Sequence, residues 1–218
     1  TLTLYWRLPI MNPIELPKAT QKRLIQLLQI LRCWQSEKIT SVAISESTGW
    51  NPSLIRHDLW LLSFNKGVSN GYNVAELTAA IQKVLGIEPL ELSEQGKKNC
   101  CIAGLGRLGA ALLDESLVEG SPFVIKAGFD SNVNRVEILR STFPLYPANE
   151  MQFVVKQEKI EYAILTVPSK DAQQMTDRLV KAGIKGIVNM TNLILKVPEN
   201  IKVENISILN ALNLVLSS

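Results

Sequence analysis

Apolar residues in the first ninety positions recur at helical spacing, whereas those after residue 98 come in short blocks separated by amphipathic stretches. Over 17–35 (PKATQKRLIQLLQILRCWQ), Leu24, Leu27, Leu28 and Leu31 share one face of a predicted helix, with Thr20 as its candidate cap. A second, short helix starts near Ser41 or Val42 and stops at Gly49. Asn51-Pro52 then joins a favoured N-cap to a residue suited to the first helical position. It predicts a third helix over 52–62, with Leu54, Ile55, Leu59 and Leu62 inward. Two helices joined by a tight glycine turn form a helix-turn-helix pattern. FNKGVSNGYNV is turn-rich and reads as a hairpin or wing; 74–86 reads as an amphipathic helix closed by Gly86. IEPLELSEQGKK loses periodicity around Pro89 and Gly96 and reads as a linker.

From Asn99 the period changes. NCCIAGLGRLGAALL reads as a buried strand, a glycine turn and a helix start, and FVIKAGFD as a strand ending in an acid. The strand EYAILTVPS, the helix KDAQQMTDRLVKAG and the strand GIVNM follow. Apolar strands alternating with helices imply a parallel sheet covered on both faces. The expected fold class is therefore α/β. A winged-helix DNA-binding domain spans 1–90, a Rossmann-type dinucleotide-binding sheet 97–204, and an apolar C-terminal helix 205–218. That last helix carries almost no charge beyond its start, which suits burial against a partner subunit.

The net charge of +3 is small, but it is unevenly placed. Residues 1–90 hold nine Lys/Arg against six Asp/Glu, and the remainder fourteen of each, so the excess sits in the helical part. This points mildly to a polyanionic partner there. No apolar run reaches the length of a membrane span, and TLTLYWRLPI, with Arg7 and Pro9, does not read as a signal peptide. Cys33, Cys100 and Cys101 are neither a disulfide framework nor, with the single His57, a metal site. The adjacent pair reads as buried strand residues, and a reducing cytoplasm fits the set.

Gly104-Leu105-Gly106-Arg107-Leu108-Gly109 is G-x-G-x-x-G directly after a strand and before a helix. Gly104 permits the tight turn, Gly106 lets the backbone approach a pyrophosphate, and Gly109 allows close packing of helix on strand. The helix start would offer free N–H groups and a positive dipole end to phosphates. Asp130 ends the next strand near the spacing that serves a ribose 2′-hydroxyl, and its charge disfavours a 2′-phosphate, so NADH/NAD is the expected cofactor. The same glycines also fit a bare strand-to-helix turn. Thr166-Val167-Pro168 and Asn189 end later strands, where they read equally as ligand contacts or as loop caps. The only histidine lies in the helical part and no substrate domain follows the sheet, so hydride-transfer catalysis is not expected.

In a helix-turn-helix the second helix enters the major groove with its early residues toward the bases. Here it offers Asn51, Ser53, Arg56 and His57, with Asp58 placed to pair with Arg56 or to bond within the wing. Lys18, Lys22 and Lys66 are candidate phosphate contacts, or plain surface charge, and Tyr72 after the wing joins the DNA-facing set.

Taken in order along the chain, several segments resemble the bacterial redox-sensing transcriptional repressor Rex family. They are LPKATQKRL, Ser53-Leu54-Ile55-Arg56-His57-Asp58-Leu59, Gly71-Tyr72-Asn73-Val74 and GLGRLGAAL. Phe129-Asp130, Thr166-Val167-Pro168, Gly186-Ile187-Val188-Asn189 and Leu195-Lys196-Val197-Pro198 continue the series. The resemblance implies a homodimer with the C-terminal helix, about 205–216, swapped onto the partner. It also implies operator DNA as partner, with NADH releasing that DNA and NAD⁺ permitting binding. Departures from the family pattern are His57 after the recognition Arg, a less basic wing at Lys66-Gly67-Val68-Ser69, and Met190-Thr191-Asn192 beyond Asn189. Ser207 replaces the acid that pairs with the first-helix Arg, here Arg23, and Glu115 replaces a tyrosine and is a candidate substitute partner. A divergent paralogue with altered or lost DNA specificity is the alternative, and an NAD-dependent oxidoreductase a further one.

Overall fold

A computed structural model describes residues 16–64, 71–87, 97–119 and 121–217, apart from the Glu115 side chain. The wing with Lys66, Val68 and Ser69, the opening segment and the 88–96 linker lie outside the described residues. The chain divides into two compact units, Thr1–Pro89 and Leu90–Ser218. No helix among the described residues is long and apolar enough to cross a membrane.

In the first unit, α1 (Lys18–Cys33), α2 (Ser41–Thr48), α3 (Pro52–Leu61) and α4 (Val74–Leu85) enclose one core. Leu24, Leu27, Leu28 and Leu31 of α1 meet Ile44, Ile55, Leu59, Leu77 and Ile81 there. The punctuation marks behave as expected. Gly49 and Gly86 end α2 and α4 in the left-handed conformation, at φ 71° and 66°. Asn51 caps α3 by accepting the Ser53 N–H at 2.8 Å, ahead of Pro52 at the helix start. Three details differ from expectation. Pro17, not Thr20, precedes α1, and Thr20 is buried inside it. Leu54, in the first turn, faces outward at 38% exposure, and Asp58, one turn on, is buried. A short strand β1 (Lys38–Ile39) pairs antiparallel with β2 (Tyr72–Asn73), so the residues after the wing dock on the segment before α2.

The second unit is a six-stranded sheet in the order β5-β4-β3-β6-β7-β8 with every neighbouring pair parallel. Its strands are β3 (Lys98–Ala103), β4 (Phe123–Asp130), β5 (Leu145–Pro147), β6 (Tyr162–Leu165), β7 (Gly186–Asn189) and β8 (Lys202–Asn205). Alternation along β3 sorts Cys101 and Ala103 to one face, with Val154, Val155, Met175 and Leu179. Cys100 and Ile102 go to the other, with Leu113, Ile125 and Phe143. Both faces are buried, which is why these strands read as continuous apolar runs. A short helix, α6 (Val133–Ile138), follows β4, and the first face is covered by α7 (Met151–Gln157) and α8 (Ser169–Ala182). Two edge strands, β5 and β8, were not expected. Residues 202–205 form β8 rather than the start of the tail helix, which begins later as α9 (Ile208–Leu216). No residue of α9 is buried, and Ile208, Leu212, Val215 and Leu216 are 61–87% exposed.

Candidate dinucleotide site and nucleic-acid face

Strand order reverses direction at β3, and the crevice beyond the carboxyl ends of β3 and β6 is where open α/β sheets hold ligands. The glycine turn lies on one side of it and Thr166 on the other. Each glycine has a different reason to be there. Gly104 has φ 102°, and a Cβ on it would sit 2.6 Å from Val167 Cγ1. A Cβ on Gly109 would lie 1.8 Å from the Gly104 carbonyl oxygen. Gly106 has ordinary backbone at φ −68°, and its Cβ would meet nothing within 4 Å. Neither conformation nor packing requires glycine at 106, which leaves room for an approaching group as the reason, as a pyrophosphate needs.

The expected helix after this turn is only one turn long, α5 (Arg107–Ala110), followed by a 3₁₀ turn over Glu115–Val118. Asp114 accepts the Ser116 N–H at 2.9 Å, a local bond that competes with helix continuation. A macrodipole therefore adds little. The donors that remain are backbone amides: the first to find an intrahelical acceptor is Ala110, on Gly106 O at 2.8 Å. The N–H groups of Gly106, Arg107 and Leu108 come before it and have no acceptor among the described residues. Arg107 and Leu108 are exposed at the rim.

Asp130 is buried at 5% exposure and spends most of its carboxylate inside the protein. Oδ2 accepts the Leu105 N–H at 2.7 Å and Oδ1 the Asn132 N–H at 2.7 Å. Arg135 Nη1 also donates to Oδ2, at 3.3 Å. The acid thus holds the glycine turn. Thr166 acts from the other side: its hydroxyl donates to Gly104 O at 2.6 Å, so it positions the turn. Val167 abuts Gly104, and Pro168 is exposed ahead of α8.

Asn189 is a correction. It is fully buried, with Nδ2 donating to Leu193 O and Asn205 Oδ1, both at 2.8 Å. Its Oδ1 accepts from the N–H and hydroxyl of Thr191. Two donors and two acceptor sites are all used, so no group is left for a coenzyme. Asn189 is a loop cap. Cys100 and Cys101 are buried as expected, and burial pushes the Cys100 thiol up to about 12.

On the first unit, Asn51, Ser53, Leu54, Arg56, His57 and Trp60 line the outer face of α3. Arg56 is held by Ser53 Oγ at 3.1 Å and by Ser41 Oγ of α2 at 3.3 Å. Trp60, 64% exposed with its ring 6.3 Å from His57, belongs to this face and was not anticipated. Its spacing from Arg56 and His57, four and three residues, was the available signal. Lys18 and Lys22 are exposed on α1, with Lys18 at its start. Asn51 uses one lone pair of its oxygen on the cap. Tyr72 is corrected too: it is 6% exposed, packed on Phe64, and burial pushes its phenol up against the opposing charge of Arg56. Its ring is core and cannot be an open DNA contact.

Among the described residues Asp58 pairs not with Arg56 but with the first helix; the wing lies outside those residues. It accepts from Arg23 Nε at 2.6 Å and Nη2 at 2.8 Å, and from Thr20 Oγ1 at 3.1 Å. That bond holds the Arg23 guanidinium above its ordinary range. Arg23 already has a partner within its own unit; the Glu115 alternative lies outside the described side chains.

A helical DNA-reading unit joined to a dinucleotide-type parallel sheet is the architecture of a ligand-responsive transcriptional regulator. Residues 95–193 match the family model of the CoA binding domain, and 15–59 that of the putative DNA-binding protein N-terminus. The chain is 32% identical over 94% of its length to a redox-sensing transcriptional repressor Rex from Ligilactobacillus salivarius, covering 95% of that protein. It is 34% identical to one from Lactiplantibacillus plantarum, covering 94% of this chain and 90% of that one. Two solved structures of RSP, a Rex-family repressor, superpose on it. The complex with NAD⁺ and operator DNA does so with a TM-score of 0.78 at 31% identity, over 93% of this chain and 91% of that one. The complex with NADH gives 0.76 at 32% identity over 93% of both. The chain belongs to the Rex family of redox-sensing transcriptional repressors.

Proposed function

We propose that this chain is an NAD(H)-responsive repressor that binds operator DNA as a homodimer and is released by NADH. The observation that carries the reading is Gly106, a glycine with ordinary dihedrals and empty space where its side chain would be. Among relatives, RSP is seen with NADH and, separately, with NAD⁺ and operator DNA, which supports the same two ligands here. Gly104, Leu105, Gly106, Arg107, Leu108 and Gly109 form the phosphate turn, Asp130 marks the ribose, and Thr166, Val167 and Pro168 close the far wall. No chemistry is assigned to the coenzyme: it is sensed, and this chain's residues bind and orient it. Ser53, Arg56, His57 and Trp60 face the major groove, with Lys18 and Lys66 on phosphates.

The dimer is supported by α9, a nine-residue apolar helix with no buried residue in its own protomer. A second copy is the partner that covers it, in the cytoplasm. Two recognition helices related by a twofold axis call for a short palindromic site. Gel shifts on palindromic duplexes, with and without NADH and across salt, test the proposal. Specific binding weakened by NADH is expected; no specific binding in any condition overturns it.

A further inference from the structure

The chain has a single histidine, and it stands on the outer face of α3, one position after Arg56. The His57 side chain is 61% exposed, and its Nδ1 lies 3.9 Å from Asp58 Oδ1, too far for a hydrogen bond. That carboxylate is already engaged: Arg23 and Thr20 of α1 donate three bonds to it, and the guanidinium offsets its charge. Asp58 therefore does not capture the imidazole. Trp60 lies three residues on, its ring 6.3 Å from that of His57 and tilted by 34°. An imidazolium at about that distance is within reach of cation–π attraction. Arg56, held by Ser53 and by Ser41 of α2, sets a permanent cation on the same exposed face. The charged groups around His57 are thus Arg56 and Asp58 on its own helix and Arg23 behind Asp58, while α2 contributes an uncharged hydroxyl. A lysine at this position would be charged at every physiological pH. Histidine is the side chain whose charge ordinarily changes between about pH 5 and 8.

We propose that operator binding takes up a proton at His57 of each protomer, so that DNA affinity rises as pH falls through the neutral range. This rests on the DNA-binding reading above. The imidazolium N–H donates to a phosphate oxygen on the face that Arg56 also serves; the neutral ring brings no charge to that contact. When the bound state holds more protons than the free one, affinity falls as pH rises, at most about tenfold per pH unit for each proton.

The test is fluorescence anisotropy of the full-length chain on labelled palindromic duplexes, without NADH and at fixed ionic strength, from about pH 5.5 to 8.5. Wild type, His57→Gln and His57→Lys are compared, and thermal unfolding at each pH checks that all are folded. Wild-type affinity falls about tenfold or more across the range. His57→Lys stays nearly level at the tight end and His57→Gln nearly level at the weak end. Salt titration gives a second readout: the slope of log affinity against log salt is steeper at the acid end by about 0.9 per protomer, a difference that His57→Gln abolishes. A level wild-type profile overturns the inference, as does a pH dependence that survives in His57→Gln. If no duplex binds at any pH, the DNA-binding reading fails and this inference with it; if duplex binds but the profile is level, only this inference does.

Discussion

Arg23 on α1 grips Asp58 on α3 through two hydrogen bonds, Nε to Oδ2 at 2.6 Å and Nη2 to Oδ1 at 2.8 Å. Asp58 lies on the inner face of the same helix whose outer face carries Arg56, His57 and Trp60. Apolar packing alone lets a helix roll slightly about its axis; a two-point polar contact fixes the rotation. The side of α3 proposed to face DNA is thus set from behind.

Removing Arg23 strands a carboxylate that is 6% exposed. Arg23→Met is expected to destabilise the first unit by about 2–4 kcal/mol in urea unfolding. The double variant Arg23→Met/Asp58→Leu should recover most of that stability, because two apolar groups can replace the pair. Its operator affinity should stay lower than wild type, since the rotational setting is not restored. Full recovery of both properties would mean the pair has no positioning role.

The three glycines should separate binding from folding. Gly106→Ala meets open space and ordinary dihedrals, so the melting temperature is expected to hold while NADH affinity falls at least about tenfold. Gly109→Ala drives a Cβ into the Gly104 carbonyl, and should lower stability by roughly 1–3 kcal/mol or more. Calorimetry and NADH titration on the two variants check this. Unchanged NADH affinity in Gly106→Ala would remove the reason given for that glycine.

Arg56→Ala is expected to weaken operator binding by about 1–3 kcal/mol while leaving NADH affinity unchanged. Asn51→Ala should cost about 1 kcal/mol of stability through the lost cap. Trp60→Phe should remove the part of the tryptophan emission change that accompanies DNA binding. Fluorescence anisotropy with labelled duplexes reads the first effect and emission spectra the last.

Cys100 links stability to alkaline pH. Its thiol is held to about 12 by burial, well above the 9.0 of a free thiol. Between those values the unfolded chain has lost the proton and the folded one keeps it. Stability is therefore intact below pH 9.0 and falls as pH climbs toward 12. The slope is up to about 1.4 kcal/mol per pH unit from this group. Exposed Cys33 should react with a maleimide in the native protein, and buried Cys100 and Cys101 only on unfolding. Mass spectrometry of native and denatured samples counts the adducts.

Leu212, 61% exposed in α9, is a plain test of the proposed subunit contact. Leu212→Asp should leave the protomer's own packing intact and shift sedimentation toward monomer. An unchanged dimer would place the contact elsewhere.

Much of this was legible because its signals are local. Asn51-Pro52, Gly49, Gly86 and the glycine turn act on their own neighbours, and the structure uses them so. What was misread depends on distant partners. Thr20 looks like a cap until Asp58, 38 residues away, takes its hydroxyl. Leu54 looks like core by spacing, yet it is exposed while Asp58, one turn on, is buried. Asn189 sits where ligands gather, yet Thr191, Leu193 and Asn205 use every polar atom it has. Strand β8 was hidden because an exposed edge has no alternation to show, its four residues being exposed or only half-buried.

The Asn189 cap has one more effect. Its amide clasps Asn205, and its backbone oxygen takes the Ile206 N–H at 2.8 Å, just before the uncovered C-terminal helix departs. The chain is thus pinned at Asn205 and Ile206, two residues before the helix begins. In the proposed dimer, an arm already aimed would spend less orientational freedom on meeting its twin, so this single amide would favour the clasp of two copies.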